Sequence, residues 1–333
     1  MTTRFGPFVL ERKLEVDHHG VRYQARGPTW PRDAPDVSLL WVFETSTRDP
    51  AFLEDFRRGA RIAMDLRHEN IRRVLELGQV DDAWYLTSEG LDATDLHQLE
   101  HAARRKGLPW LPSAFAVGII IDVCRALHAA HTFRDERGQP GGVTHDALSP
   151  GSARVTFTGD VKLEGFGIER IPPPPGAGVL QGKRLYLSPE QCHGRPLDAR
   201  SDVYVVGLLL YRMLCATLPF GMESDFSILR DIVEGRLTPA ETFNPTLDPP
   251  LREILRRALS TDRDARHESA EALARELSDW REQHVSPFSS GEARRHLVGA
   301  LLHDRTSPPR PPPPAAFITE LTAWRASLPR ASR

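Results

Sequence analysis

Cysteine is scarce in this chain, and long apolar runs free of charge are missing. Cys124, Cys192 and Cys215 are its only cysteines in 333 residues. They are scattered without metal-ligand spacing, which argues against a disulfide framework, a redox pair or a zinc site. Two lie in apolar helical stretches and read as small buried hydrophobes, and a reducing, cytoplasmic setting fits. The first thirty residues carry Glu11, Glu15 and Asp17 and no apolar core segment, so no signal peptide is expected. The longest apolar run is broken by Arg212, and no membrane span is expected. Charge of either sign is also missing in excess. A formal net charge of -2 gives no drive toward nucleic acid or acidic lipid, and the partners expected are proteins.

What the chain does have is material for a core. At this length, 40% hydrophobic residues suffice for two domains, or for one large two-lobed domain with a tail. The stretch from Leu185 to Phe220 organises the rest. Its first half is polar and turn-rich, and from Val203 to Leu218 it is apolar almost throughout, as expected of a helix buried on all sides. Strand patterns run through Val9 and Leu10, Val21 and Tyr23, Val37 to Phe43, Val74 to Leu77, and Ala83 to Thr87. Residues 51–66 place Phe52, Phe56, Ala60, Ala63 and Leu66 on one helical face. Helices are also expected from Pro112–Ser113, from Asp248 as cap with Pro249 in the first turn, and from Ser269. The segment from His284 differs in character. It has seven arginines against three acids, a helical pattern at Arg294 to His303, a proline run at Pro308 to Pro314 and a last amphipathic pattern with Phe317, Ile318, Leu321 and Trp324. The prolines read as an extended spacer or a P-x-x-P ligand. The final pattern reads as a helix that docks on the large lobe or binds a partner.

Three motifs carry a resemblance. Ser188-Pro189-Glu190, the run Asp198 to Tyr204 and Leu218-Pro219-Phe220 resemble the large lobe of a bacterial Hanks-type serine/threonine protein kinase. The resemblance covers about Phe8 to Gln283. It implies an α+β, two-lobed fold, with a small β-rich lobe to about residues 86–91 and a large helical lobe from about 92, followed by a basic, proline-containing tail from 284. It further implies that Glu190 pairs with Arg266, that Asp202 accepts hydrogen bonds from the catalytic-loop backbone, and that His145 and Phe166 pack a hydrophobic spine. Ser88 to Leu91, with Glu89 and Leu91 as markers, falls at the hinge.

Phosphoryl transfer relies on charge placed around the phosphates. Against the family's pattern, the chain departs at each such place. The Gly-rich loop reads Glu15, Val16, Asp17, His18, His19, Gly20, with two carboxylates where glycines would admit phosphate. The adjacent histidines read as a solvated loop or, less simply, a metal pair. The strand Lys is Leu40 and its helix partner is Gly59, so both halves of that ion pair are missing together, as the cost of one unpaired buried charge requires. The catalytic Asp is Ala147, the metal-binding Asn is Ser152, and the Asp of Asp-Phe-Gly is Gly165. Arg22 and Arg154 stand where an adenine ring would be sandwiched. They are expected to fill the cleft with carboxylates such as Glu15 and Asp17, or to point outward.

The reading is a catalytically inactive, kinase-like scaffold or regulatory module, without catalytic, nucleotide-binding or metal-ligating residues and with no cofactor. Its expected partners are proteins, such as an active kinase or signalling protein, and neither nucleic acid nor membrane. Its expected working surfaces are the segment with Pro172 to Pro175, the helix face around Arg57 and Arg58, and the tail. Two alternatives stay open: a weak serine/threonine kinase using ATP and magnesium with relocated acids such as Asp146 or Glu164, and a nucleotide sensor without catalysis.

Overall fold

A computed structural model describes residues 3–27, 36–135, 137–169, 171, 185–221, 224–284 and 291–302. In chain order its elements are β1 (Thr3–Phe5), β2 (Phe8–Val16), β3 (Gly20–Arg26), β4 (Val37–Val42), α1 (Glu44–Thr47), α2 (Pro50–Asp65), β5 (Val74–Val80), β6 (Ala83–Glu89), β7 (Ala93–Asp95), α3 (Leu96–Arg105) and α4 (Ser113–His131). There follow β8 (Ala153–Thr156), β9 (Val161–Leu163), α5 (Pro189–Cys192), α6 (Ala199–Cys215), α7 (Asp225–Glu234), α8 (Ala240–Phe243), α9 (Pro249–Ala258), α10 (Ala270–Gln283) and α11 (Gly291–Leu302).

The small lobe is an antiparallel sheet in the order β1-β2-β3-β4-β6-β5, crossed by α2. Alternation along the strands sends side chains to two faces. Leu39, Ala25 and Val37 join Phe5, Phe8 and Tyr85 on one face, while Leu40, Val42 and Leu86 meet Phe52, Phe56 and Ala60 of α2 on the other. Asp49 caps α2 through Ala51 N–H, with Pro50 in the first turn. The large lobe gathers around α6. Nearly every residue of that helix from Ser201 to Cys215 is buried, which fits its unbroken apolar sequence. A short second sheet, β7-β8-β9, joins the lobes and carries the cleft floor.

The two-lobed α+β architecture expected from the sequence is present, and several details differ. Asp248 precedes α9 but makes no side-chain cap; its carboxylate accepts the Trp280 indole N–H at 2.8 Å instead. Helix α4 is long and apolar enough to cross a bilayer by length and composition, yet 72% of that window is buried inside the large lobe. Helix α11, within the segment set apart as tail, belongs to the large-lobe core. Ala293, Leu297, Val298 and Leu301 are buried there, and Arg294 reaches Asp122 of α4 at 2.5 Å. The packed lobe therefore runs on past Gln283. Pro172 to Pro175 and the tail beyond Leu302 lie outside the described residues.

Candidate functional site

The site to be judged is the slot between the lobes, under the cleft face of β2–β4 and above β8 and β9. Strand alternation aims Arg22 of β3 and Leu40 of β4 downward as register partners. Leu40 is fully buried against Val42, Phe56 and Leu86. Opposite it on α2, Gly59 lies flush with the turn that carries Gly167. A Cβ at Gly59 would fall inside van der Waals contact of the Gly167 carbonyl, and Gly167 itself has φ +72°. Helix and turn thus touch backbone to backbone where an ion pair would need room. Gly59→Ala, normally a helix-stabilising change, is expected here to cost about 1–3 kcal/mol through overpacking, read from the urea unfolding midpoint.

The loop joining β2 and β3 is closed on itself. Asp17 Oδ1 accepts the N–H groups of His19 and Gly20 at 2.7 and 3.0 Å, so the loop's own carboxylate holds donors that an anion would otherwise use. Gly20 has a packing reason to be glycine, since a Cβ there would collide with the Trp41 carbonyl. His18 and His19 do not form a solvated loop: His19 is fully buried, its ring about 6 Å from those of Phe52 and Phe56, because β3 tucks that turn under α2. Among the described residues no group of three or more His, Cys, Asp or Glu side chains could hold a metal ion.

Beyond the loop, the slot is filled by paired charge. Glu15 Oε1 sits 2.8 Å from Arg22 Nε and 3.0 Å from Arg154 Nη2, and Asp17 lies 3.3 Å from Arg22. Arg154 Nε donates to Glu164 at 2.5 Å, with Asp95 at 3.7 Å from its Nη1. Arg72, two residues before β5, pairs with the other oxygen of Glu164. Its Nε and Nη2 both donate to the Glu89 backbone carbonyl, at 3.0 and 2.9 Å. Burial opposes ionisation of Glu164, yet Arg72, Arg154 and Arg22 together hold it well below the usual carboxylate range. Burial likewise opposes the Arg22 charge, and Glu164, Asp17, Glu15 and Glu169 outweigh it, raising its pKa. The residual cavity among Arg22, Arg72, Glu164 and Glu169 is about 30 Å³, room for about one water.

The catalytic-loop register is set by Asp202. Its carboxylate accepts the backbone N–H of His145 at 2.8 Å, lies 3.4 Å from that of Asp146, and contacts His131 Nε2 at 2.7 Å. Asp146 has φ +64°, and its carbonyl accepts a bond from Gln191. Ala147 follows, and it offers no acid or base. Ser152 closes a 3-10 turn with Ser149, its hydroxyl accepting the Ser149 N–H at 3.2 Å. Gly165, φ +103°, leaves the space a side chain would need to Glu169, whose Cγ a Cβ would overlap. The His145 ring packs on Phe166 at 4.7 Å and bonds the Glu164 carbonyl at 2.9 Å. Glu190 meets Arg266 through two bonds of 2.8 and 3.0 Å.

Arg22 and Arg154 thus lie in the cleft with carboxylate partners, Glu15 and Asp17 among them. Two participants were not evident in sequence: Arg72 and Glu169. The available signal for Arg72 was a cation just ahead of a strand, between Ile71 and Val74. Glu89 and Leu91 line the crossover between lobes. On α2, exposed Arg57 stacks over Trp84 at 5.6 Å and Arg58 pairs with Asp55.

The chain as a whole resembles known proteins. A model of the protein kinase domain matches residues 41–278. The chain is 32% identical, over 90% of its length, to the tyrosine-protein kinase MasK of Myxococcus xanthus, and 30% identical, over 73%, to the serine/threonine-protein kinase PknB of Mycobacterium tuberculosis. It spans 47% and 38% of those proteins. The crystal structure of the Mycobacterium tuberculosis PknI kinase domain superposes with a TM-score of 0.62 at 23% identity, covering 83% of this chain and 97% of that one, a likeness of fold. By matched length and by identity, the chain belongs to the bacterial Hanks-type serine/threonine protein-kinase family.

Proposed function

We propose that this member of the family does not transfer phosphate and acts as a scaffold or regulatory module for protein partners, such as an active kinase or another signalling protein. The observation that carries the reading is the closed charge network. Arg22, Arg72 and Arg154 are matched to Glu15, Asp17 and Glu164 in the space where a metal-bound nucleotide would need free cations and carboxylates. A Glu164 clamped between guanidiniums is a poor proton acceptor, which weighs against its use as a relocated base. The pairs Glu15–Arg154 and Arg72–Glu164 also tie β2 and the segment leading into β5 to β8 and the residue after β9, which supports a rigid platform. No cofactor is part of this reading. A cytoplasmic setting is supported by three cysteines that stay unpaired.

Labelled ATP with magnesium or manganese tests it. No phosphate transfer to the protein or to a generic substrate is expected, and millimolar ATP with magnesium should leave Tm unchanged, because a ligand that binds only the folded state would raise it. Turnover abolished by Asp146→Ala would instead establish a weak kinase.

A further inference from the structure

Beside α6, the large lobe has a groove of about 580 Å³, lined by none of the residues of the charge network. That volume falls within the range of about 300–1,000 Å³ typical of occupied sites. Buried Tyr211 of α6, with Leu255 and Leu259 at α9, makes the floor, and Leu237, Pro239 and Pro249 make the walls. We propose that the chain's own segment 315–328, which lies outside the described residues, docks in this groove as an amphipathic helix, with Phe317, Leu321 and Trp324 against the floor.

The groove offers apolar surface and little unmet polarity. The Tyr211 hydroxyl donates to the Thr238 carbonyl at 2.8 Å, so the ring presents its apolar body. On the rim, Arg252 Nε donates to the Leu247 carbonyl at 2.6 Å, and Arg256 Nε donates to Glu253 at 2.7 Å. A polar small molecule finds few partners there, whereas apolar side chains at helical spacing find a matching surface. Phe243, one turn along α8 from Ala240, is 42% exposed and extends the apolar area past the groove.

The tail has the features of the occupant. Residues 315–328, between Pro314 and Pro329, contain neither proline nor glycine. Phe317, Leu321 and Trp324 recur there at i, i+4 and i+7, the anchor spacing of a helix laid in a groove. A helix this short is marginal in water by itself, so its order has to come from a surface. Exposed Glu241 stands on the groove rim, and Arg325, next to Trp324, carries the opposite sign. The span is within reach. Helix α11 lies on α3, Arg104 of α3 donates to the carbonyl of Ala216 at the end of α6, and Asn244 after α8 donates to the Leu214 carbonyl of α6 at 2.8 Å. The path from α11 to the groove therefore crosses three helix spacings, roughly 24–30 Å. Residues 303–316, rich in proline, cover about 40 Å when extended. A stiff spacer also loses less entropy when the segment docks.

Phosphate transfer, or its absence, would leave the groove as it is, so this docking stands or falls apart from the inactive-scaffold reading. Hydrogen exchange of the full chain, read by mass spectrometry, tests it. Amides of residues 317–324 are expected to exchange at least about tenfold more slowly than in an unstructured chain, at a rate unchanged by dilution. Leu237→Asp puts a carboxylate in the wall and should abolish that protection. Pro239→Asp should do the same while the fold stands, because Pro239 is exposed and is the N-cap of α8, a position that favours Asp. If Leu237→Asp does not fold, Pro239→Asp decides. Absence of protection in the wild-type chain, protection that survives Pro239→Asp, or protection that disappears on dilution would overturn the proposal; the last would give the groove to the tail of a second copy.

Discussion

Glu164→Gln is expected to lower the unfolding free energy by about 3–5 kcal/mol, because it removes one partner from a buried ionic network and leaves the others charged. Arg72, only 7% exposed at its side chain, loses its sole carboxylate partner. Arg154 keeps Glu15 but loses the shorter of its two closest pairs. Applied to a chain of this size, the loss corresponds to a fall in Tm of about 4–7 °C, measurable by calorimetry. The acid limb gives a second readout. The pKa of Glu164 in the fold lies below its unfolded value of about 4.3. Its contribution is therefore complete above that value and lost as pH falls through the lower, folded one. The wild-type chain should lose stability as pH drops below about 4, and the Gln variant should lose less over the same interval. A variant as stable as the wild type, with the same acid slope, would mean that the arginines in the cleft are solvated rather than paired, and the closed-slot reading would fail with it.

Arg266→Met should be comparably damaging, for a different reason. The Arg266 side chain is fully buried, and it serves Glu190 with two bonds, the carbonyls of Ser260 and Arg200 at 2.7 and 2.9 Å, and the ring of Tyr204 at 4.9 Å from its guanidinium carbon. Removing it strands a buried carboxylate left with the Ser201 hydroxyl at 2.6 Å and with Arg263 at the longer distance of 3.9 Å, at a cost of about 3–5 kcal/mol. Burial opposes the charge of Glu190, but the bonds from Arg266 and Ser201 bring its pKa down to about 2. The depressed pKa means that the pair's contribution is present above the unfolded carboxylate value and lost as pH falls toward 2. The difference between wild type and variant, taken from urea unfolding curves, should accordingly be widest near neutral pH and narrow in acid. A gap that stays constant from pH 7 to pH 3 would show that packing on Tyr204, and not the ion pair, carries the effect. The double replacement Glu190→Met/Arg266→Met should recover part of the loss, since it removes both charges together.

Most of the frame was legible from local pattern. The apolar run from Val203 became α6, the face through Phe52, Phe56 and Ala60 became the buried side of α2, and the motifs at Glu190, Asp202 and Arg266 marked the large lobe. Less legible were elements whose reason lies elsewhere in the chain. His19 gave no local sign of burial, because α2, thirty residues on, covers it. Helix α11 looked like part of a basic tail, because its own short pattern does not say which surface it covers; in the fold it lies against α3, and its Arg294 reaches Asp122 and Gly118 of α4.

By itself, the order of residues determined the fold class, the course of the strands and helices, and the lack of ionisable groups at Leu40, Gly59, Ala147, Ser152 and Gly165. Periodicity and motif spacing are properties of neighbouring residues and need no three-dimensional knowledge. Only the tertiary structure decided what became of the emptied slot. Arg72 and Glu164 are 92 positions apart and Glu15 and Arg154 are 139 apart. Whether such charges face water or one another depends on the register of two sheets and the closure of two lobes, which local pattern does not encode.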